Sequence, residues 1–163
     1  MCSSDLSAAQ ALAKIDSNVY TLNVSGVSAA NVSSLAANTK VTSMLVTDTS
    51  ANIATNLDAL QTNQAKITSI TQSGTPAALD VTYSQVTSAA QALAKIDSNV
   101  YTLNVSGVSA ANVSSLAANT KVTSMLVTDT SANIATNLDA LQTNQAKITS
   151  ITQDRKSTRL NSS

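Results

Sequence analysis

Val41-Thr42-Ser43-Met44-Leu45-Val46-Thr47-Asp48-Thr49-Ser50-Ala51-Asn52-Ile53-Ala54-Thr55-Asn56-Leu57-Asp58-Ala59-Leu60 is the stretch that decides the fold. Its first part is rich in β-branched and apolar residues, the composition of a strand. Alternation places Met44 and Val46 on one strand face and Ser43, Leu45 and Thr47 on the other, so one face is buried and the other mostly polar. From Ser50 to Gln61 the period changes. Ile53, Leu57 and Leu60 stand at i, i+4 and i+7, one helical stripe. Asp48 or Thr49 is the right residue type to cap that helix. The stripe needs a cover, and the buried face of the adjacent strand is the nearest one.

The same opening, apolar-x-x-apolar-x-apolar, occurs at Ile67-Thr68-Ser69-Ile70-Thr71-Gln72, where Gln72 breaks the last position, and at Val100-Tyr101-Thr102-Leu103-Asn104-Val105. In the latter, Leu103 and Val105 share one face, and Thr102, Asn104 and Ser106 the other. Helical patterns follow the openings. Past Ser106-Gly107, the segment Ser109 to Ala118 aligns Val113, Leu116 and Ala117. Past the turn signal Ser73-Gly74-Thr75-Pro76, a short strand is expected over Ala77 to Tyr83. Ser84 then caps a helix with the stripe Val86, Ala90 and Leu93, continuing to Ile96. Asn63, Asn99 and Asn119 are placed to end the helices in the left-handed conformation.

These openings sit inside a larger repeat. Residues 7–72 recur unchanged as residues 88–153, 66 positions at an offset of 81, with 73–87 as connecting segment. Strand–helix–strand connections give parallel strands. The expected architecture is therefore an α/β solenoid with one parallel sheet and one helical layer, and residues 7–153 form a single array. An all-β repeat array is the alternative, because short Thr/Val/Ser-rich runs fit both states. The core is light: Val, Leu, Ile, the paired Met44 and Met125, and much Ala.

The opening pattern is similar in logic to leucine-rich repeats. It departs from them at Thr49 and Val108, where their Asn or Cys ladder would stand. A closer resemblance rests on Thr47 to Leu60 and on Lys66-Ile67-Thr68-Ser69-Ile70-Thr71, which resemble repeats of very large bacterial secreted or surface proteins described as adhesin-like or β-strand-repeat proteins. That resemblance implies an exported, cell-surface, adhesive role. The glycine-rich calcium-binding nonapeptides common in such proteins have no counterpart here, so no cofactor is implied. Residues 1–6 and 154–163 stand outside the repeat and resemble translated sequencing-adapter sequence, which sets both segments apart from fold reasoning.

Within residues 7–153 there are six Lys and seven Asp and no Glu, Arg, His, Cys, Trp or Phe. The near-zero charge offers no nucleic-acid footprint, and no apolar run approaches the roughly 18 residues of a membrane span. Without His, Cys or Glu the common general bases and nucleophile partners are missing, so the expectation is no enzyme and no catalytic residue. Lys40, Lys66 and Lys95 read as solvated, or as favourable charges near helix C-termini. Asp48-x-Ser50-x-Asn52 and its copy Asp129-x-Ser131-x-Asn133 resemble the start of a calcium loop. The turn Gly and the twelfth-position Glu are absent, so a helix cap is the favoured reading and no metal site is assigned. Asn23-Val24-Ser25, Asn31-Val32-Ser33 and their copies match the N-glycosylation pattern, which an Asn/Ser-rich chain produces by chance.

What remains is the polar strand face: Ser43, Leu45, Thr47, Ser69, Thr71, Thr102 and Asn104. The expected function is a structural spacer of a repetitive bacterial cell-surface or secreted protein, with neighbouring repeats of the same chain as partners. The alternative is an adhesin module that binds a host or surface glycan or protein through this face.

Overall fold

The computed structural model describes Ile15 and residues 20–97 and 101–154. It is an α/β fold in which every strand pairing is parallel. Strands β1 (Leu22–Val27), β2 (Val41–Asp48) and β3 (Ile67–Gln72) form one sheet in the order β1-β2-β3. Strands β4 (Leu79–Thr82), β5 (Leu103–Val108), β6 (Val122–Asp129) and β7 (Ile148–Gln153) form a second, in the order β4-β5-β6-β7. The helices are α1 (Val32–Ala36), α2 (Ser50–Thr55), α3 (Leu57–Thr62), α4 (Tyr83–Ser88), α5 (Ala90–Leu93), α6 (Val113–Ala117), α7 (Ser131–Thr136) and α8 (Leu138–Thr143). From β5 onward the chain reproduces, element for element, the order from β1 to β3.

Two expectations are corrected. The helices rule out the all-β array, and two sheets replace the single one. The second sheet arises because the connecting segment contributes β4, which takes the edge of β5 in unbroken register from Leu79↔Leu103 to Thr82↔Ser106. Among the described residues the first sheet continues past β3 only as a one-residue parallel bridge between Ile70 and Ile96.

The spacing of three within each opening has a local cause. Strict alternation would turn Val41 outward if Met44 points inward, yet both are buried. The register slips there, with Leu22 opposite Val41 but Asn23 opposite Ser43, so Thr42 is an extra residue. A bulge of this kind turns the preceding side chain back to the core. Met44 pairs with Ile67 and Leu45 with Ser69, so Thr68 is extra in β3 in the same way. A further slip separates Val24↔Met44 from Val27↔Val46, where Gly26 takes φ +66. Its copy Gly107, at the same φ, lies inside β5, and the strand runs on to Val108. Val100 lies outside the described residues.

The helix expected from Ser50 to Gln61 is two helices broken at Asn56, whose φ is −101 and ψ 15. Its interior is Thr and Asn, which bond back to the helix backbone. Thr55 Oγ1 donates to the Ala51 carbonyl at 2.9 Å, and Asn56 Nδ2 to the Asn52 carbonyl at 2.9 Å. Such bonds compete with the helical ladder and bend it. The stripe survives the break, for Ile53, Leu57 and Leu60 are all fully buried.

Over residues 83–97 Leu93 and Ile96 are buried as the expected stripe requires and Val86 packs half-buried against the core, but Ala89 and Ala92 are buried while Ala90 is exposed. The cap is Thr82, not Ser84, in a reciprocal capping box with Gln85. Among the described residues only Gly has positive φ, which corrects the left-handed expectation for Asn63 and Asn119. Asn63 ends its helix by a side-chain bond instead, Nδ2 to the Ala59 carbonyl at 2.8 Å. Asn99 lies outside the described residues. The buried residues form one cluster that runs through both copies.

Candidate functional site

The faces of β2 and β5 are disposed as their alternation requires. Met44, Val46, Leu103 and Val105 are buried, while Leu45 and Thr47 are exposed and Ser43 and Asn104 half-buried. The seven outward candidates do not share one surface. Ser43, Leu45, Thr47, Ser69 and Thr71 belong to the three-stranded sheet, where Leu45 faces Ser69 and Thr47 faces Thr71. Asn104 belongs to the four-stranded sheet, and Thr102 lies just before β5 with its carbonyl accepting from the Leu79 amide. The single open face expected for all seven is thus divided, because β4 rather than β3 neighbours β5.

Side-chain rungs cross both sheets. Asn23 Oδ1 accepts from Ser43 Oγ at 2.8 Å and from Thr42 Oγ1 at 2.9 Å. In the second sheet Asn104 Nδ2 donates to Asp80 Oδ1 at 2.9 Å while its Oδ1 accepts from Ser124 Oγ at 2.7 Å. Asp80, Asn104 and Ser124 therefore form a three-strand rung in register. Asp80 and Ser124 were not among the sequence candidates. Ser124 was legible as the copy of Ser43, whereas Asp80 lies in the connecting segment and has no copy. An open depression of about 400 Å³ on the first sheet is lined by Asn23, Val24, Ser25, Ser43, Leu45 and Thr68. Leu45 is 44% exposed there and its copy Leu126 is 41% exposed.

The Asp48 group is a structural brace. Thr49 caps α2, its side chain accepting from the Asn52 amide. Asp48 Oδ1 accepts from the Thr49 amide at 2.8 Å and from Asn52 Nδ2 at 2.7 Å, and Oδ2 accepts from the Ala29 amide at 2.9 Å. Ser50 is buried and its Oγ instead accepts from Gln72 Nε2 and from the Ala77 amide. The Asp48 and Ser50 oxygens of the calcium-like pattern are thus spent on internal bonds, and Asn52 is turned with its Nδ2 toward Asp48. Burial pushes the Asp48 carboxyl up, but the bonds from Asn52, Ala29 and Thr49 together outweigh it and hold it below the ordinary value. Asp129 is lowered by the matching bonds from Asn133, Ala110 and Thr130.

The lysines near the openings bind carbonyls. Lys66 Nζ donates to Ala36 and Asn38 at the end of α1, at 2.7 and 3.1 Å. Its copy Lys147 does the same at Ala117 and Asn119. These are the C-terminal helix positions where a cation is favourable. Lys95 Nζ donates to the Ile67 carbonyl at 2.6 Å. Lys40 and Lys121 stand over the rings of Tyr20 and Tyr101 at 5.2 and 4.9 Å.

The largest difference between the copies is at their ends. Leu57, Ile67 and Ile70 are covered by the chain that follows the first copy, in which α5 packs on α3 and Ile96 bridges Ile70. Their counterparts Leu138, Ile148 and Ile151 have no such cover among the described residues, and Leu138 and Ile151 are 57% and 46% exposed. Together with Leu141, Gln142 and Gln145 they line an open groove of about 510 Å³. At the other end Leu22 and Val24 are half-buried, whereas Leu103 and Val105, flanked by β4, are fully buried.

Comparison with protein-family models, curated proteins and solved structures finds no match. Among the described residues no three His, Cys, Asp or Glu side chains gather as a metal site, and no helix is long and apolar enough to cross a membrane.

Proposed function

We propose that residues 7–153 are part of a solenoid array of strand–helix units and serve as a structural spacer in a repetitive bacterial cell-surface or secreted protein. The observation that carries this reading is the dependence of burial on the neighbour. Sixty-six identical residues bury Leu57 and Ile70 in the copy that another unit covers and leave Leu138 and Ile151 exposed in the copy that has no such cover among the described residues. Repeat arrays behave this way, since each unit draws much of its stability from the interface with the next. Covering an exposed Leu or Ile side chain is worth about 1.5–3 kcal/mol, so each added unit stabilises the one before it. The candidate polar residues support a structural role as well. Asn23, Ser43 and Asn104 are engaged in rungs, and Asp48 and Lys66 tie loops and helix ends to the strands. Catalysis has no part in this reading.

A second reading has its own observation. Leu45 and Leu126 are exposed apolar side chains at the same place in both copies, the first beside the depression at Asn23 and Ser43. An adhesin module would use such a repeated patch to hold a glycan or a protein. Alanine at Thr21, Asn23, Thr102 and Asn104, with Leu45→Ser and Leu126→Ser in a companion variant, separates the two. As a spacer, the purified chain adheres to cells and glycan surfaces no differently in either variant. Specific adhesion that the variants abolish while circular dichroism is unchanged establishes the adhesin reading instead.

A further inference from the structure

The groove at the end of the second copy has a known occupant in the first. There the decapeptide Ser88-Ala89-Ala90-Gln91-Ala92-Leu93-Ala94-Lys95-Ile96-Asp97 lies over Leu57, Leu60, Ile67 and Ile70. Its bonds are specific. Gln61 Nε2 donates to Gln91 Oε1 at 3.1 Å, and Gln61 Oε1 accepts from the Ala92 amide at 2.9 Å. The Ile70 amide donates to the Lys95 carbonyl at 2.9 Å, the Asp97 amide to the Ile70 carbonyl at 3.2 Å, and Lys95 Nζ to the Ile67 carbonyl. Every groove residue in these contacts has an identical counterpart in the second copy: Leu138, Leu141, Gln142, Ile148 and Ile151.

The same decapeptide occurs once more in the chain, as Ser7-Ala8-Ala9-Gln10-Ala11-Leu12-Ala13-Lys14-Ile15-Asp16. Groove and ligand are therefore both present in one sequence. We propose that the groove lined by Leu138, Leu141, Gln142, Ile148 and Ile151 docks residues 7–16 of a second copy of this chain, head to tail. Leu12 takes the place of Leu93, Gln142 bonds Gln10 and the Ala11 amide, and Ile151 bridges Ile15. The interface is heterologous, each molecule offering a groove at one end and a segment at the other, so association continues into open chains unless its rotation closes a ring. This goes beyond the spacer reading and holds wherever the protein resides.

Sedimentation velocity of the full chain over a concentration series tests it, under reducing conditions so that Cys2 forms no disulfide. The wild type is expected to grow in mass with concentration past the dimer. Leu138→Asp, at a position already solvated, and Leu12→Asp are each expected to remain monomeric. Their equimolar mixture is expected to stop at a dimer, because one intact groove meets one intact segment. Gln142→Ala is expected to weaken association several-fold. A wild type that is monomeric up to its solubility limit overturns the proposal. So does association that survives Leu138→Asp, or a mixture of folded variants that stays monomeric. If circular dichroism shows Leu138→Asp unfolded, Gln142→Ala decides, and unchanged association there also overturns the proposal.

Discussion

Leu57 and Leu138 occupy the same place in two identical sequences, and the first is fully buried while the second is 57% exposed. Nothing local distinguishes them. The difference is the segment 79–97, whose β4, α4 and α5 pack on α2 and α3 and which has no described counterpart over the second copy. Burial here belongs to the junction between units rather than to the unit.

Leu57→Ala should cost about 2–5 kcal/mol, the range for a core leucine that leaves a cavity. Leu138→Ala should change stability by no more than about 0.5 kcal/mol, as surface substitutions do. Urea unfolding of both variants in dilute solution makes the comparison, since the two substitutions are identical in sequence context over tens of residues.

Acid should destabilise the chain through Asp48 and Asp129. A carboxyl whose folded pKa lies below its unfolded value, here the ordinary 3.8, adds stability that is complete above the unfolded value. That contribution is lost as pH falls through the folded value beneath it. The double variant Asp48→Asn, Asp129→Asn should be less stable than wild type at neutral pH and should lose less stability between about pH 5 and about pH 3. Thermal melts across that range read the difference.

The strand bulge at Gly107 can be tested by Gly107→Ala. A Cβ there would meet nothing within 4 Å, so the cost comes from the backbone at φ +66 alone. It should be about 1–2 kcal/mol, with Gly107→Asn recovering part of it. Denaturant midpoints of the two variants give the comparison.

Much of this fold was legible in the chain. The strand faces of β2 and β5 followed from simple alternation, and the stripe Ile53, Leu57, Leu60 from helical spacing. The apolar-x-x-apolar spacing was visible, but its cause was not, since a bulge is defined by a partner strand's register. The break at Asn56 follows from Thr and Asn bonding backwards, a competition that periodicity ignores. The second sheet was hidden because Leu79–Thr82 lies outside the repeat and only its pairing with β5 reveals it. The candidate surface was legible residue by residue but not as a surface: alternation places Asn104 outward without saying which sheet it joins. Lys66 was placed near a helix end by sequence, and the carbonyls that it and its copy Lys147 hold belong to the preceding unit.

The rung through Asp80, Asn104 and Ser124 should make the two copies of one asparagine unequal. Asn104→Ala removes bonds to two neighbouring strands, each worth about 0.5–1.5 kcal/mol. Asn23→Ala, in exposed β1, should cost less. Equal losses in chemical denaturation would show that the rung contributes nothing.

Amide hydrogen exchange at Ile70 and Ile151, in dilute chain with and without an added copy of residues 73–97 after Gln153, tests most directly whether each unit is completed by the next. The Ile70 amide is bonded to Lys95 and should exchange slowly in both proteins. The Ile151 amide should exchange fast in the original chain and become as protected as Ile70 in the extended one, with a matching rise in stability. An Ile151 amide that stays fast in the extended chain, with stability unchanged, would contradict the reading of this protein as an array.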